Sequence, residues 1–319
     1  MKSLLYILSV LELTACGSLR NEVSPSLLTR EGEKLVVNGY ISPQDTLLSV
    51  KVSRSKPVLG EQTDALPYNV ADATVTLSDG NKLVVLRYLS DKQFYTAKAT
   101  LLPIRTGQTY TLTVSTPDGK KVTAQATVPK PVAIRQGHLD SIITTTGNRL
   151  QKSYQIGFDW QDPTGEANYY EYSGYFDWSP GYTYPIDGQT VTSSGTGLRL
   201  LIFPREDRTG KLITDDRQDG AVLSSLSADI GLVEVAANSP NAQASLKRLT
   251  MGNVLPGARV LLRLLSTETL YFRYKDAVIR QRQNRDNPFA EPVLIPTNVQ
   301  DGLGCFSAYN RSEKVFFLR

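Results

Sequence analysis

Apolar and polar residues alternate one by one over long stretches of this chain. Leu48, Val50 and Val52 interleave with Ser49, Lys51 and Ser53, and Ala73, Val75 and Leu77 with Thr74, Thr76 and Ser78. Tyr110, Leu112 and Val114 do the same against Thr111, Thr113 and Ser115, and Val122, Ala124, Ala126 and Val128 against Thr123, Gln125 and Thr127. A side-chain period of two, with turn residues such as Asp79-Gly80 and Pro117-Asp118-Gly119 between the runs, predicts half-buried antiparallel strands. Several such strands in residues 31–130, with no helical period among them, predict a β-sandwich of immunoglobulin-like or transthyretin-like type. Pro129-Lys130-Pro131 interrupts strand pairing and stiffens the chain, which places a domain boundary at 130.

Residues 131–319 read as a larger β-rich domain. Tyr154, Ile156, Phe158 and Trp160 alternate with polar or small residues, Asp162-Pro163-Thr164-Gly165 turns the chain, and Asn168 to Tyr172 begins an answering strand. Leu198 to Phe203, Ala258 to Leu265 and Lys314 to Leu318 are further apolar strands. One amphipathic helix is predicted near 267–283, from the spacing of Leu270, Tyr271, Tyr274, Ala277 and Val278. Ser266 or Thr267 can cap it, Glu268 suits its positive end, and Arg280 and Arg282 its negative end. The fold class expected is therefore mainly β, with a single helix.

The first residues follow another rule. Met1-Lys2-Ser3 and the apolar run Leu4 to Leu11 form a short cationic region and a hydrophobic region, too short for the roughly 20 apolar residues of a membrane span. Leu13-Thr14-Ala15-Cys16-Gly17 resembles the lipobox of bacterial lipoprotein signals. That resemblance implies a signal peptide over residues 1–15, diacylglyceryl attachment at the Cys16 sulfur, cleavage before Cys16, and acylation of its new amino group. Two or more acyl chains, at about 0.8 kcal/mol per buried methylene, hold a protein stably at a bilayer. Residues 16–30 are polar and aperiodic and read as a tether. An ordinary signal peptide with an incidental cysteine, and a buried N-terminal strand, are the other two readings of this segment.

Composition changes the picture in three places. A mean hydropathy of −0.23 and the lack of any later apolar run of spanning length place the body outside the bilayer. A net charge of +4 spread along the chain without a Lys/Arg cluster gives no nucleic-acid footprint. There are two cysteines; with Cys16 lipidated, Cys305 has no intramolecular partner, and its setting in Gly302-Leu303-Gly304-Cys305-Phe306 reads as packing.

In order along the chain, the lipobox, Leu35-Val36-Val37-Asn38-Gly39-Tyr40, Asp72 to Leu77, Gly107-Gln108-Thr109-Tyr110-Thr111-Leu112 and Val128-Pro129 resemble successive landmarks of a family of Bacteroidetes lipoproteins, the domain of unknown function 4249. Asp162-Pro163, Asn168-Tyr169-Tyr170, Asn287-Pro288-Phe289, Thr297-Asn298-Val299 and Gly302-Leu303-Gly304 continue the likeness through the second half. Members are often encoded beside TonB-dependent receptors. The resemblance thus implies an outer-membrane location and an accessory role in uptake, and supplies no catalytic residue.

The search for chemistry starts from a single histidine, His138, in Gln136-Gly137-His138-Leu139-Asp140, which reads as an exposed linker residue rather than the centre of a Ser-His-Asp triad. No zinc ligand set assembles. Asp215 to Gly220 resembles the start of a calcium loop, but Arg217 stands where an oxygen ligand is required and the distal Glu is missing, so a solvated turn is expected. No catalytic residue, metal or cofactor is assigned. Asp159, Asp162, Glu166 and Glu171 cluster around one turn and leave open a glycan-active hydrolase; a purely structural envelope protein is the third class. The aromatic stretch from Tyr169 is the most suggestive: on a strand Tyr170, Tyr172, Phe176 and Trp178 share one face, and Tyr169, Tyr175 and Asp177 the other. If the first is core, the second is a candidate platform for a glycan, another small ligand or a protein partner.

Overall fold

The computed structural model describes residues 33–55, 68–178, 183–186, 189–192, 197–203, 211–235, 239–250, 257–284, 287 and 289–318. The lipobox and Cys16 lie outside them. In the first half the strands are β1 (Leu35–Ile41), β2 (Leu47–Arg54), β3 (Thr74–Ser78), β4 (Leu83–Leu89), β5 (Phe94–Lys98), β6 (Thr109–Ser115) and β7 (Lys121–Thr127). The second half adds β8 (Ile134–Thr146), β9 (Arg149–Gln161), β10 (Tyr169–Trp178), β11 (Thr183–Ile186), β12 (Gln189–Thr192), β13 (Gly197–Leu200), β14 (Lys211–Thr214), β15 (Val222–Ser224) and β16 (Ala228–Val235). Helix α1 (Pro240–Arg248), β17 (Arg259–Thr267), helix α2 (Thr269–Gln283) and β18 (Leu303–Phe317) complete the order.

The predicted alternation is realised strand by strand. β1 buries every second residue from Leu35 to Ile41, and β6 buries Tyr110, Leu112 and Val114 while its threonines face outward. Together with Val50, Val75, Val122 and Ala126 these fill a first core between the β1–β2–β5 and β3–β6–β7 layers. The second core lies between β9, giving Tyr154, Ile156, Phe158 and Trp160, and the inner face of β10 and β17, giving Tyr170, Tyr172, Phe176, Val260, Leu262 and Leu264. Its aromatic rings meet edge-on, Trp160 with Tyr170 at 5.4 Å and Tyr172 with Phe203 at 4.9 Å between centroids. Each such side chain, fully buried, contributes roughly 1.5–3 kcal/mol relative to exposure.

The cores divide at Pro129-Lys130-Pro131, Val128 packing in the first and Val132 in the second. The C-terminal segment, however, returns to the first: β18 pairs parallel with β1 from Val36–Leu303 to Ile41–Ala308, and antiparallel with β17 further on. Val299, Phe306 and Ala308 thus join the first core and Leu318 the second, so one strand carries a twelve-stranded sheet across both. Gly304 makes the approach feasible. Its φ is +108°, and a Cβ there would lie 2.1 Å from the Val37 carbonyl oxygen.

Among the described residues there are two α-helices where one is expected. Helix α1 was missed because it is short and turns only Ala242 and Leu246 inward. Its signals are local: the Ser239 hydroxyl accepts the Ala242 amide at 3.0 Å and Pro240 opens the first turn. At its other end the buried Lys152 ammonium donates to the carbonyls of Leu246 at 2.8 Å and Leu249 at 2.6 Å, and burial lowers its pKa. In α2 the expected caps are replaced. Ser266 and Thr267 belong to β17; Ser266 Oγ accepts the Val132 amide, and Thr267 Oγ1 donates to the Tyr169 carbonyl. Glu268 is the N-cap, but its carboxylate accepts from the Thr127 and Ala308 amides and the Ser307 hydroxyl instead of capping the helix.

Candidate functional site

Strand β10 separates its two faces as the alternation requires. Tyr170, Tyr172 and Phe176 are buried, and Tyr169, Tyr175 and Asp177 are half-exposed on the opposite face. The three expected platform residues do not remain together. Helix α2 lies across one end of that face, where Phe272 packs on Tyr169 at 5.1 Å and Tyr271 and Lys275 donate to the buried Glu171 carboxylate at 2.5 and 2.6 Å. Beyond the helix the sheet is open.

That open part is ordered by register. Leu200, Tyr175, Leu261 and Val315 stand in one row across β13, β10, β17 and β18, and Leu198, Asp177, Arg259 and Phe317 in the next. Leu198 is 67% exposed, Val315 46% and Phe317 65%. Scattered exposed apolar residues are ordinary; contiguous ones on a sheet face mark an interaction surface. Ion pairs lie on both sides of the first row: Arg259 with Asp177 at 2.7 Å, between Leu198 and Phe317, and on the other side Arg263 with Glu313 at 2.6 Å and Arg311 Nε 3.1 Å from the same Glu313 oxygen. The face thus combines exposed apolar side chains with aromatics, arginines and ion pairs. Tyr175 does not offer a free ring face, because the Arg263 guanidinium stacks over it at 4.6 Å from the centroid.

The acids taken as a hydrolase candidate are separated. Asp159 lies on the outer face of β9, Glu171 is covered by α2, Asp162 is 1% exposed, and of the four only Glu166 lines a cleft at the seam of the two cores, about 620 Å³ in volume. That cleft is walled by Lys130, Asn168, Tyr169, Glu268 and Thr269. The expectation that turn acids are solvated fails at Asp162 and also at Asp215, which is 4% exposed. Both are held by distant groups. Asp162 accepts from the Tyr170 hydroxyl at 2.6 Å and the Gly220 amide at 3.0 Å, and Asp215 from the Asn168 amide at 2.9 Å. With Asp219, bonded to the Gly165 amide, they bring carboxylate oxygens within 4.8 Å of one another, an oxygen set of the kind a hard divalent cation takes. The hydrogen bonds already made by these oxygens give the cluster a structural use, tying the 163–168 turn to the 215–220 turn.

His138 is likewise not in a linker. It sits in β8 opposite Gly157, with Nε2 2.5 Å from Asp159 Oδ2 and two serines, Ser225 and Ser227, beside Gly157 on the other flank. Among the described residues neither hydroxyl bonds to the imidazole, so the three residue types of a triad are neighbours without its hydrogen-bond chain. Cys305 is fully buried, and burial pushes its thiol up to about 12, which keeps it protonated and inert at neutral pH.

Comparison with known proteins adds three findings. A protein-family model described as Domain of unknown function (DUF4249) matches residues 20–315. No curated protein matches the sequence. Among solved structures, a two fibronectin type-III domain segment from chicken tenascin aligns at 12% identity over 68% of this chain and 83% of that one, with a TM-score of 0.17, at which the likeness carries no argument.

Proposed function

This chain belongs to the family described as Domain of unknown function (DUF4249), and on that premise we propose that it is a lipid-anchored cell-envelope protein whose body binds a protein partner rather than catalysing a reaction. The observation that carries the reading is the open sheet face of Tyr175, Leu198, Leu200, Leu261, Val315 and Phe317, interspersed with ion pairs. Small ligands are held in concave pockets that bury most of their surface, whereas this face is a sheet four strands wide. The exposed Phe317 ring and the Arg263 guanidinium stacked on Tyr175 add the aromatic and arginine groups in which protein interfaces are enriched. Flatness and this make-up together favour a protein. Anchoring through Cys16 supplies the rest of the reading, and the resemblance to outer-membrane lipoproteins points to a TonB-dependent receptor as the partner.

Copurification from detergent-solubilised outer membrane tests both parts. The wild-type chain is expected to carry acyl chains at Cys16 and to recover a receptor. Phe317→Asp, a change at an exposed position, is expected to lose the receptor while keeping the anchor. Recovery of no receptor under conditions that preserve known complexes contradicts the partner, and a Cys16→Ser product that still sediments with membranes contradicts the anchor.

A further inference from the structure

Strand β8 has an unusual edge. It is 13 residues long, pairs with β9 without interruption from Gln136–Asp159 to Thr146–Arg149, and among the described residues has no strand on its other side. Among the described residues only its first carbonyls are engaged there, those of Ile134 and Arg135, by the Lys314 ammonium. From Gln136 onward most of its residues are exposed, and no further hydrogen bond reaches that edge among the described residues. Natural sheets blunt such an edge with short strands, prolines, lysines or bulges. β8 has a single irregularity, at its start, and contains neither proline nor lysine. Its second half, Ser141-Ile142-Ile143-Thr144-Thr145-Thr146, is uncharged and mostly β-branched, the composition that favours strand pairing. Ile142 is 51% exposed there.

We propose that this edge is where a second copy of the chain adds, β8 pairing antiparallel with β8 across a twofold axis at Ile142. The strand is compatible with its own copy, since Asp140 is the one Asp, Glu, Lys or Arg between Gln136 and Thr146, and Ile142, its most exposed apolar residue, favours an axis there. Residues that face each other across a twofold normal to the sheet must share a face, so the axis passes through a residue. With the axis at Asp140, two carboxylates would oppose each other, which destabilises a sheet. At Ile142, Asp140 faces Thr144, Ser141 faces Ile143, His138 faces Thr146, and the exposed Ile142 meets its own copy. Nine residues from each chain then pair with no like charges opposed, and the four-stranded sheet becomes eight-stranded. A strand pair alone is below the size of a standard interface, so the dimer is weak, with a Kd of about 0.1 mM.

Sedimentation of the soluble Cys16→Ser form over a concentration series tests this directly. The expected result is a reversible monomer–dimer equilibrium that Ile142→Lys weakens at least about tenfold, because it sets two ammonium groups face to face on the axis. Circular dichroism of Ile142→Lys is expected to match the parent, since the side chain is solvent-exposed. In the same form, Ile142→Cys is expected to give an intermolecular disulfide under mild oxidation, in excess of Leu198→Cys, which is also exposed. A chain that stays monomeric to about 1 mM, or a dimer whose affinity Ile142→Lys leaves unchanged, overturns the proposal.

Discussion

The boundary of the open face is set by helix α2, and the helix is held down by one carboxylate. Glu171 Oε2 accepts the Tyr271 hydroxyl at 2.5 Å and the Lys275 ammonium at 2.6 Å, and Lys275 Nζ also lies 2.7 Å from the Tyr271 oxygen. Burial, and next to it the Glu171 charge, raises the Tyr271 pKa well above its usual value, so the phenol stays a donor at any working pH. Truncation by Glu171→Ala strands a buried hydroxyl proton, a loss of about 1–3 kcal/mol, and removes a charged hydrogen bond worth about 1.5–3 kcal/mol. The second loss is partial, since the Lys275 side chain is 32% exposed and can turn to water. The expected total is therefore about 3 kcal/mol, the lower end of the 3–5 kcal/mol range for breaking a fully buried pair. Glu171→Gln keeps an acceptor for Tyr271 and should cost about 1 kcal/mol, and Lys275→Met about 2 kcal/mol because the carboxylate loses its cation. Urea midpoints of the Cys16→Ser form at constant m-value measure all three. If Glu171→Ala costs less than about 0.5 kcal/mol, the size of an ordinary surface change, the network does not hold the helix.

Two further perturbations probe the joint between the cores. Gly304→Ala should prevent β18 from pairing with β1, since the added Cβ would meet the Val37 carbonyl oxygen at a positive φ; a cost of at least about 3 kcal/mol is expected, and a stable, soluble variant would contradict the pairing. Glu268 has its pKa raised above 4.5 by burial, which outweighs its hydrogen bonds from Ser307, Thr127 and Ala308. The folded chain therefore holds this proton more tightly than the unfolded chain, and the Glu268 contribution to stability grows as pH falls from neutrality through the raised folded pKa toward 4.5. Glu268→Gln sets an amide N–H against backbone donors and should cost about 1–3 kcal/mol at pH 7, with a gap to wild type that widens at pH 5. Denaturation at the two pH values checks the sign; a narrowing gap refutes it.

The strands were legible because each carries its own signal. The alternation of Tyr110, Leu112 and Val114, or of Tyr154 to Trp160, is a local property that the sheet only has to respect. What escaped is nonlocal. The parallel pairing of β18 with β1 joins residues more than 260 positions apart, and Gly302 and Gly304 were its only trace in the sequence. Asp162 and Asp215 looked like turn acids because the amides of Gly220 and Asn168 that hold them lie 58 and 47 residues away. His138 looked like a linker residue for the same reason, its partner Asp159 being supplied by the neighbouring strand. On β10 the two faces were readable, but the cover that Phe272 places over Tyr169 was not. The apolar row from Leu200 to Val315 could not be seen either, because four strands from distant parts of the chain build it.

The most direct measurement of the central claim is site-specific photocrosslinking in intact cells from position 317, on the open sheet face, against position 119, an exposed turn on the first sandwich. One discrete protein adduct is expected from 317, lost when Val315→Asp is added, and none from 119. Equal labelling from both positions, or no adduct from 317 while the lipidated chain is present in the envelope, would contradict it.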